Sequence, residues 1–113
     1  MKDMRPYQQG DVLIKPVEQI PNESNLKAVN PVNGNLILAE GEVTGHFHGI
    51  PSDGNVALLE NPETEEVYLK IAEKPATVTH QEHHAITMEP GIYKIDIVQE
   101  YDHFAEKAER VAD

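Results

Sequence analysis

Punctuation constrains this chain more than any other feature. Turn-forming residues recur at short intervals: Asn33-Gly34, Pro51-Ser52-Asp53-Gly54, Asn61-Pro62-Glu63-Thr64, Pro75 and Pro90-Gly91. Gly and Asn tolerate positive φ, and Pro presets φ while removing a backbone donor, so each cluster turns the chain for a stated reason. The stretches between are short and rich in Val, Leu and Ile, which suit a pleated, half-buried surface. No helical periodicity lies between them, and parallel strands need long crossovers, so a parallel α/β sheet is excluded. The expectation is an all-β protein, a small antiparallel barrel or sandwich.

The strands follow in order. Residues 1–9 are polar and expected to be loosely held. Residues 10–17, Gly-Asp-Val-Leu-Ile-Lys-Pro-Val, read as a first strand, with Pro16 marking an edge or an end. Residues 18–35 have loop composition, and Asn33-Gly34 leads into a strand at 35–40. After a tight turn at Gly41-Glu42 come strands at 43–50 and 56–60. Residues 66–72 alternate cleanly, Val67, Leu69 and Ile71 against Tyr68 and Lys70. Residues 76–80 place Ala76, Val78 and His80 on one face. Short strands at 85–88 and 92–98 complete the set. Asp102 can cap a helix, and Phe104, Ala108 and Val111 recur at i, i+4, i+7, so a short C-terminal helix is expected over 103–112.

At 113 residues the chain is read as one domain, 1–113. Only 5% of residues are aromatic, so aliphatic side chains must fill the core. There is no cysteine, hence no disulfide or thiolate metal site. No apolar run approaches the ~20 residues of a membrane span, and no apolar signal core follows the N-terminus. The expectation is a cytoplasmic protein without a membrane partner.

Five of the six histidines fall in two short segments. His46 and His48 stand in Gly-Glu-Val-Thr-Gly-His-Phe-His-Gly-Ile, and His80, His83 and His84 stand in His-Gln-Glu-His-His. A His-x-His on a strand projects both imidazoles from one face, about 7 Å apart along the backbone. That is the simplest way for one strand to give one metal two ligands. A third must come from a neighbouring strand, for which His80 is the candidate, and His83 or His84 adds a fourth. With His84 in that place, His83 and Glu82 are left for acid–base chemistry. Imidazole nitrogens suit transition metals, and the cofactor expected is divalent zinc, iron, nickel or manganese. Gly45 and Gly49 are expected to leave room beside the imidazoles. Without a metal, paired imidazoles with pKa values near ~6.5 take and give protons at neutral pH. Glu82 fits a general acid/base, a partner orienting an imidazole, or a solvated turn acid. Thr44 shares the His46 and His48 face.

Charge narrows the partners. The net charge is −11, from 20 acidic and 9 basic residues, and no Lys or Arg occurs between Lys27 and Lys70. A groove for a phosphate backbone needs cations there, which argues against extended nucleic acid. The same acidity keeps a small protein soluble, or favours a divalent cation.

The histidine pattern resembles a reduced cupin. His46 and His48 match the paired histidines of that family's first motif, Asp53 falls where its acid stands, and Pro75 lies five residues before His80 as in the second. Thr77 replaces the second-motif glycine, His84 holds the asparagine position, and the first-motif glycine is displaced to Gly41. The resemblance covers residues 41–84. It implies a double-stranded β-helix and a metal held by His46, His48 and His80. The chain is also similar, over most of its length, to small bacterial and phage-borne proteins of unknown function. They share Gln-Gly-Asp-Val (residues 9–12), Gly-Glu-Val-Thr-Gly-His-x-His, His-x-Glu-His and Glu100-Tyr101.

Three functions follow as expectations. The first is an enzyme or metal-binding barrel acting on a small molecule through His46, His48 and His80. The second is a metal-independent phosphodiesterase or nuclease of small nucleotides with the histidines as acid and base. The third is a non-catalytic interaction module. Edge strands of small barrels pair, so a homodimer is expected.

Overall fold

A computed structural model of the chain describes residues 5–40 and 46–97. The expected turn at Gly41-Glu42, Gly45 and Thr44, and the expected helix over 103–112, lie outside the described residues. Among those described there are ten strands, one 3-10 turn and no α-helix. The strands are β1 (Tyr7–Gln9), β2 (Val12–Val17), β3 (Lys27–Ala28), β4 (Asn35–Glu40), β5 (Phe47–Pro51), β6 (Val56–Glu60), β7 (Val67–Ile71), β8 (Ala76–Val78), β9 (Ile86–Met88) and β10 (Gly91–Ile97). Every pairing is antiparallel.

Six strands form one sheet in the order β1-β2-β10-β7-β6-β3, while β4-β5 and β8-β9 form two ladders. Gly49 and Thr79 join the ladders by exchanging backbone hydrogen bonds of 3.0 and 2.9 Å. Ile14, Leu58, Leu69, Ile71, Tyr93 and Ile95 of the six-stranded sheet share one buried cluster with Leu36, Leu38, Ile50, Ala76, Val78 and Met88 of the ladders. Two antiparallel faces thus meet in a single core, as half-buried alternating strands require. The described strands do not close into a barrel, because β1 and β3 end the six-stranded sheet.

The turns act as their residues dictate. Asn33 and Gly34 take φ of 51° and 83° and reverse the chain between Val32 and Asn35, which exchange hydrogen bonds of 2.7 and 3.0 Å. Asn61 Oδ1 accepts the N–H groups of Glu63 and Thr64, and Asp53 Oδ1 accepts that of Asn55.

Two expectations change. Residues 7–9 are not loose: they form β1, and Gln9 is 2% exposed. Tyr68, on the face opposite Val67, Leu69 and Ile71, is buried as well. The chain between β2 and β4 returns onto that face, where Glu23 reaches Lys70 at 2.7 Å.

Candidate functional site

The β5–β8 bridge positions the site. It sets Gly49 opposite Thr79, so His48 and His80, each one residue from the bridge, are brought side by side. Their ring centroids are 4.3 Å apart. His46 lies 5.7 Å from His80, and His83 lies 4.6 Å from His80 and 6.1 Å from His48. Four imidazoles from two distant segments therefore form one group. His84 takes part through its backbone carbonyl, and the ring contacts run among the other four.

The β1–β2 turn completes the group with Gln9, Gly10 and Asp11. Gln9 Nε2 donates to the carbonyls of Val78 and His84, at 3.2 and 2.7 Å, while Gln9 Oε1 meets His48 Nδ1 at 2.8 Å. Gly10 has φ of 59°, and a Cβ there would stand 2.6 Å from His83 Nε2. Its lack of a side chain is what lets His83 pack over the turn. Asp11 Oδ1 stands 3.8 Å from His48 Nε2. On the other side, Glu82 Oε2 is 3.4 Å from His46 Nδ1, and the Glu82 backbone N–H donates to His80 Nδ1 at 3.0 Å. Gln81 Oε1 accepts the Phe47 N–H at 2.9 Å, which ties the 80–84 loop to β5.

Burial and like-charge crowding set the electrostatics. His48 is 1% exposed. Burial, then the neighbouring His80, lowers its pKa from 6.5 to about 4, with Asp11 opposing and His83 adding to the fall. Burial likewise lowers His80, followed by His83 and His46, against Glu82 and Asp11. At neutral pH both rings are uncharged and carry lone pairs, the state in which imidazole binds a metal.

The expected residues divide as follows. His46, His48, His80 and His83 come together, with Glu82 at the rim. Asp53, the acid implied by the cupin resemblance, is exposed and caps its own turn through the Asn55 N–H. Asp11 supplies the carboxylate beside His48 instead. Gly49 makes room for Phe47, whose Cε1 lies 2.9 Å from a Cβ at that position, and Gly10 makes room for an imidazole. Sequence reasoning gave Gln9, Gly10 and Asp11 no role in the site. The signal was the Gln-Gly-Asp-Val string itself, but nothing local to it says that it faces His48.

A divalent transition metal suits these donors in kind. Among the described residues, no group of three or more His, Asp or Glu side chains stands around one point where an ion could be held. The ring of His80 accounts for part of this. Its Nδ1 already accepts a backbone N–H, so its neutral form carries the proton on Nε2. The donor types suit a metal, and His80 Nδ1 is engaged by the Glu82 N–H.

The fold and the cluster define a small antiparallel β-protein with a histidine-lined site at the ends of three strand pairs. A family model described as a domain of unknown function (DUF8820) matches residues 8–98, and the chain belongs to that family. No curated protein and no solved structure matches the chain. Among the described residues, no helix is long and apolar enough to cross a membrane.

Proposed function

We propose that the cluster binds a divalent transition metal through His48, with His46, His80 and His83 around it, and presents it to a small molecule. The observation that supports this reading is the state of His48: buried, uncharged at neutral pH, held at Nδ1 by an amide oxygen and flanked by the imidazoles of His80 and His83. A metal-binding imidazole is usually anchored in this way through its second nitrogen. Bound zinc, iron, nickel or manganese would act there as a Lewis acid toward a small polar ligand. The chain's own groups would hold the ion and, through Asp11 and Glu82, give the site a negative rim. His46 just before β5, His48 on β5 and His80 beyond the end of β8 also support cupin-like descent.

Proton transfer without a metal is the second reading, favoured by His80, whose Nε2 carries a proton while Nδ1 accepts the Glu82 N–H. The magnitude weighs against it. His48, the buried ring of the group, has its pKa lowered to about 4, far below neutral pH, where it is an inefficient general base. The same low value removes proton competition from a metal ligand. A nuclease role is weaker still, since the carboxylates of Asp11 and Glu82 stand beside the rings.

Elemental analysis of untagged protein, followed by calorimetric titration of metal-free protein with zinc, iron, nickel and manganese, tests the proposal. Stoichiometric uptake of one of them, lost in His48→Ala, supports it. No uptake of any, with ligand turnover insensitive to chelator, supports proton transfer instead.

A further inference from the structure

The hydrogen bonds of Gln9 settle a question that distances between the rings leave open: which nitrogen of His48 is bare. Gln9 is 2% exposed, so its polar atoms must find partners inside the protein. Its amide nitrogen has two hydrogens, and two carbonyl oxygens, of Val78 and His84, lie within reach at 3.2 and 2.7 Å. Turning the amide over would set its oxygen against both carbonyls. The amide orientation is therefore fixed, and Oε1 faces His48 Nδ1 at 2.8 Å. An oxygen acceptor at that distance requires a proton on Nδ1. In the neutral ring Nε2 then has only a lone pair. That nitrogen faces Asp11 Oδ1 at 3.8 Å, so two acceptors look at each other across a gap.

We propose that Gln9 is a positioning residue that holds His48 as the Nδ1–H tautomer, and that His48 Nε2 and Asp11 together receive a positively charged group. Asp11 and Gln9 thereby join the site that the metal reading places on the histidines, and the inference rests on that reading only for the identity of the group. A metal ion and an alkylammonium share the chemistry the gap selects, because either satisfies both acceptors. A phosphate or carboxylate presents a third acceptor and is rejected. Gln9→Leu removes the oxygen that holds the Nδ1 proton, which frees Nε2 to take it and donate to Asp11, closing the gap.

Metal-free protein labelled with 15N-histidine, read in long-range proton–nitrogen spectra at neutral pH, tests this. His48 Nε2 is expected to resonate as an unprotonated nitrogen and Nδ1 as a protonated one. Gln9→Leu is expected to move Nε2 toward the protonated range. Zinc chloride, methylammonium chloride and sodium phosphate are then added separately. A shift of Nε2 with zinc upholds both this inference and the metal reading. A shift with methylammonium alone upholds the inference and removes the metal. For zinc, Gln9→Leu is expected to weaken binding by roughly 10–100-fold, the usual cost of losing a residue that orients a ligand. A proton on Nε2 in the unaltered chain, a shift with phosphate alone, or silence from all three probes overturns the inference. The first of these readings needs no variant, so misfolding of Gln9→Leu does not shield it.

Discussion

The β1–β2 turn and the 80–84 loop bring different halves of one cluster together, and they are built differently. In the turn, Gln9 is buried and every polar atom of its amide is engaged, so it grips β5, β8 and the loop at once. In the loop, Gln81, Glu82, His83 and His84 are exposed, and the loop is held mainly by Gln81 to Phe47 and by the His84 carbonyl to Gln9. One half fixes a single imidazole in one orientation. The other supplies the more exposed rings, with His80 held between His48 and the Glu82 N–H. A site that must close on a ligand gains from this division, since a rigid anchor sets the geometry and more exposed partners complete it.

The comparison can be broken at its strongest point first. Gln9→Leu leaves two carbonyls and His48 Nδ1 without partners, and should destabilise the fold by about 3 kcal/mol in chemical denaturation. Gln81→Ala in the exposed loop should cost under about 1 kcal/mol by the same measurement. Equal losses would erase the distinction between the two halves.

Acid should act through the anchor. The unfolded chain binds the His48 proton near 6.5, whereas the folded chain binds it only near about 4. The unfolded state therefore holds more protons between those values, and stability rises with pH there. The contribution is fully present above about pH 6.5 and is lost as pH falls through 4, amounting to about 3 kcal/mol. His80, lowered in the same direction, adds to the fall. Denaturation midpoints measured from pH 8 to pH 4 should drop, and His48→Gln should flatten that drop.

Gly10→Ala has a smaller effect with a specific signature. Its φ of 59° and the His83 ring 2.6 Å from the new Cβ both oppose the substitution. A cost of about 1–2 kcal/mol is expected, together with displaced His83 resonances and unmoved His46 ones. Smallest of all, Asp53→Ala removes one turn hydrogen bond and should cost about 0.5–1 kcal/mol with no change in zinc affinity. A loss of affinity there would return the site's acid to Asp53 at the expense of Asp11.

The strands were legible because their causes are local. Val67, Leu69 and Ile71 alternate, Asn33-Gly34 turns, and β4 and β7 fall where those patterns put them. The gathering of His46, His48, His80 and His83 was half legible, since His-x-His and the period of residues 76–80 fix which way the rings point but not what meets them. The rest depended on pairings far apart in the chain. Gln9 lies in a polar stretch that looks dispensable, and only the packing of β1 beside the ends of β8 and β9 turns it into a buried partner of His48. Asp11 and Asp53 are indistinguishable by residue type, each beside a glycine in a turn. Tertiary contact, not local pattern, decides that one faces an imidazole and the other caps its own backbone.

The central claim is that His48 is the fixed nitrogen around which an ion is held. X-ray absorption on zinc-loaded protein addresses it directly. At least two imidazole nitrogens are expected at the ~2.0–2.1 Å typical of zinc–histidine bonds, with loss of that imidazole signature and of the bound zinc in His48→Ala. Zinc bound only by oxygen ligands, or an unchanged imidazole shell in His48→Ala, would contradict it.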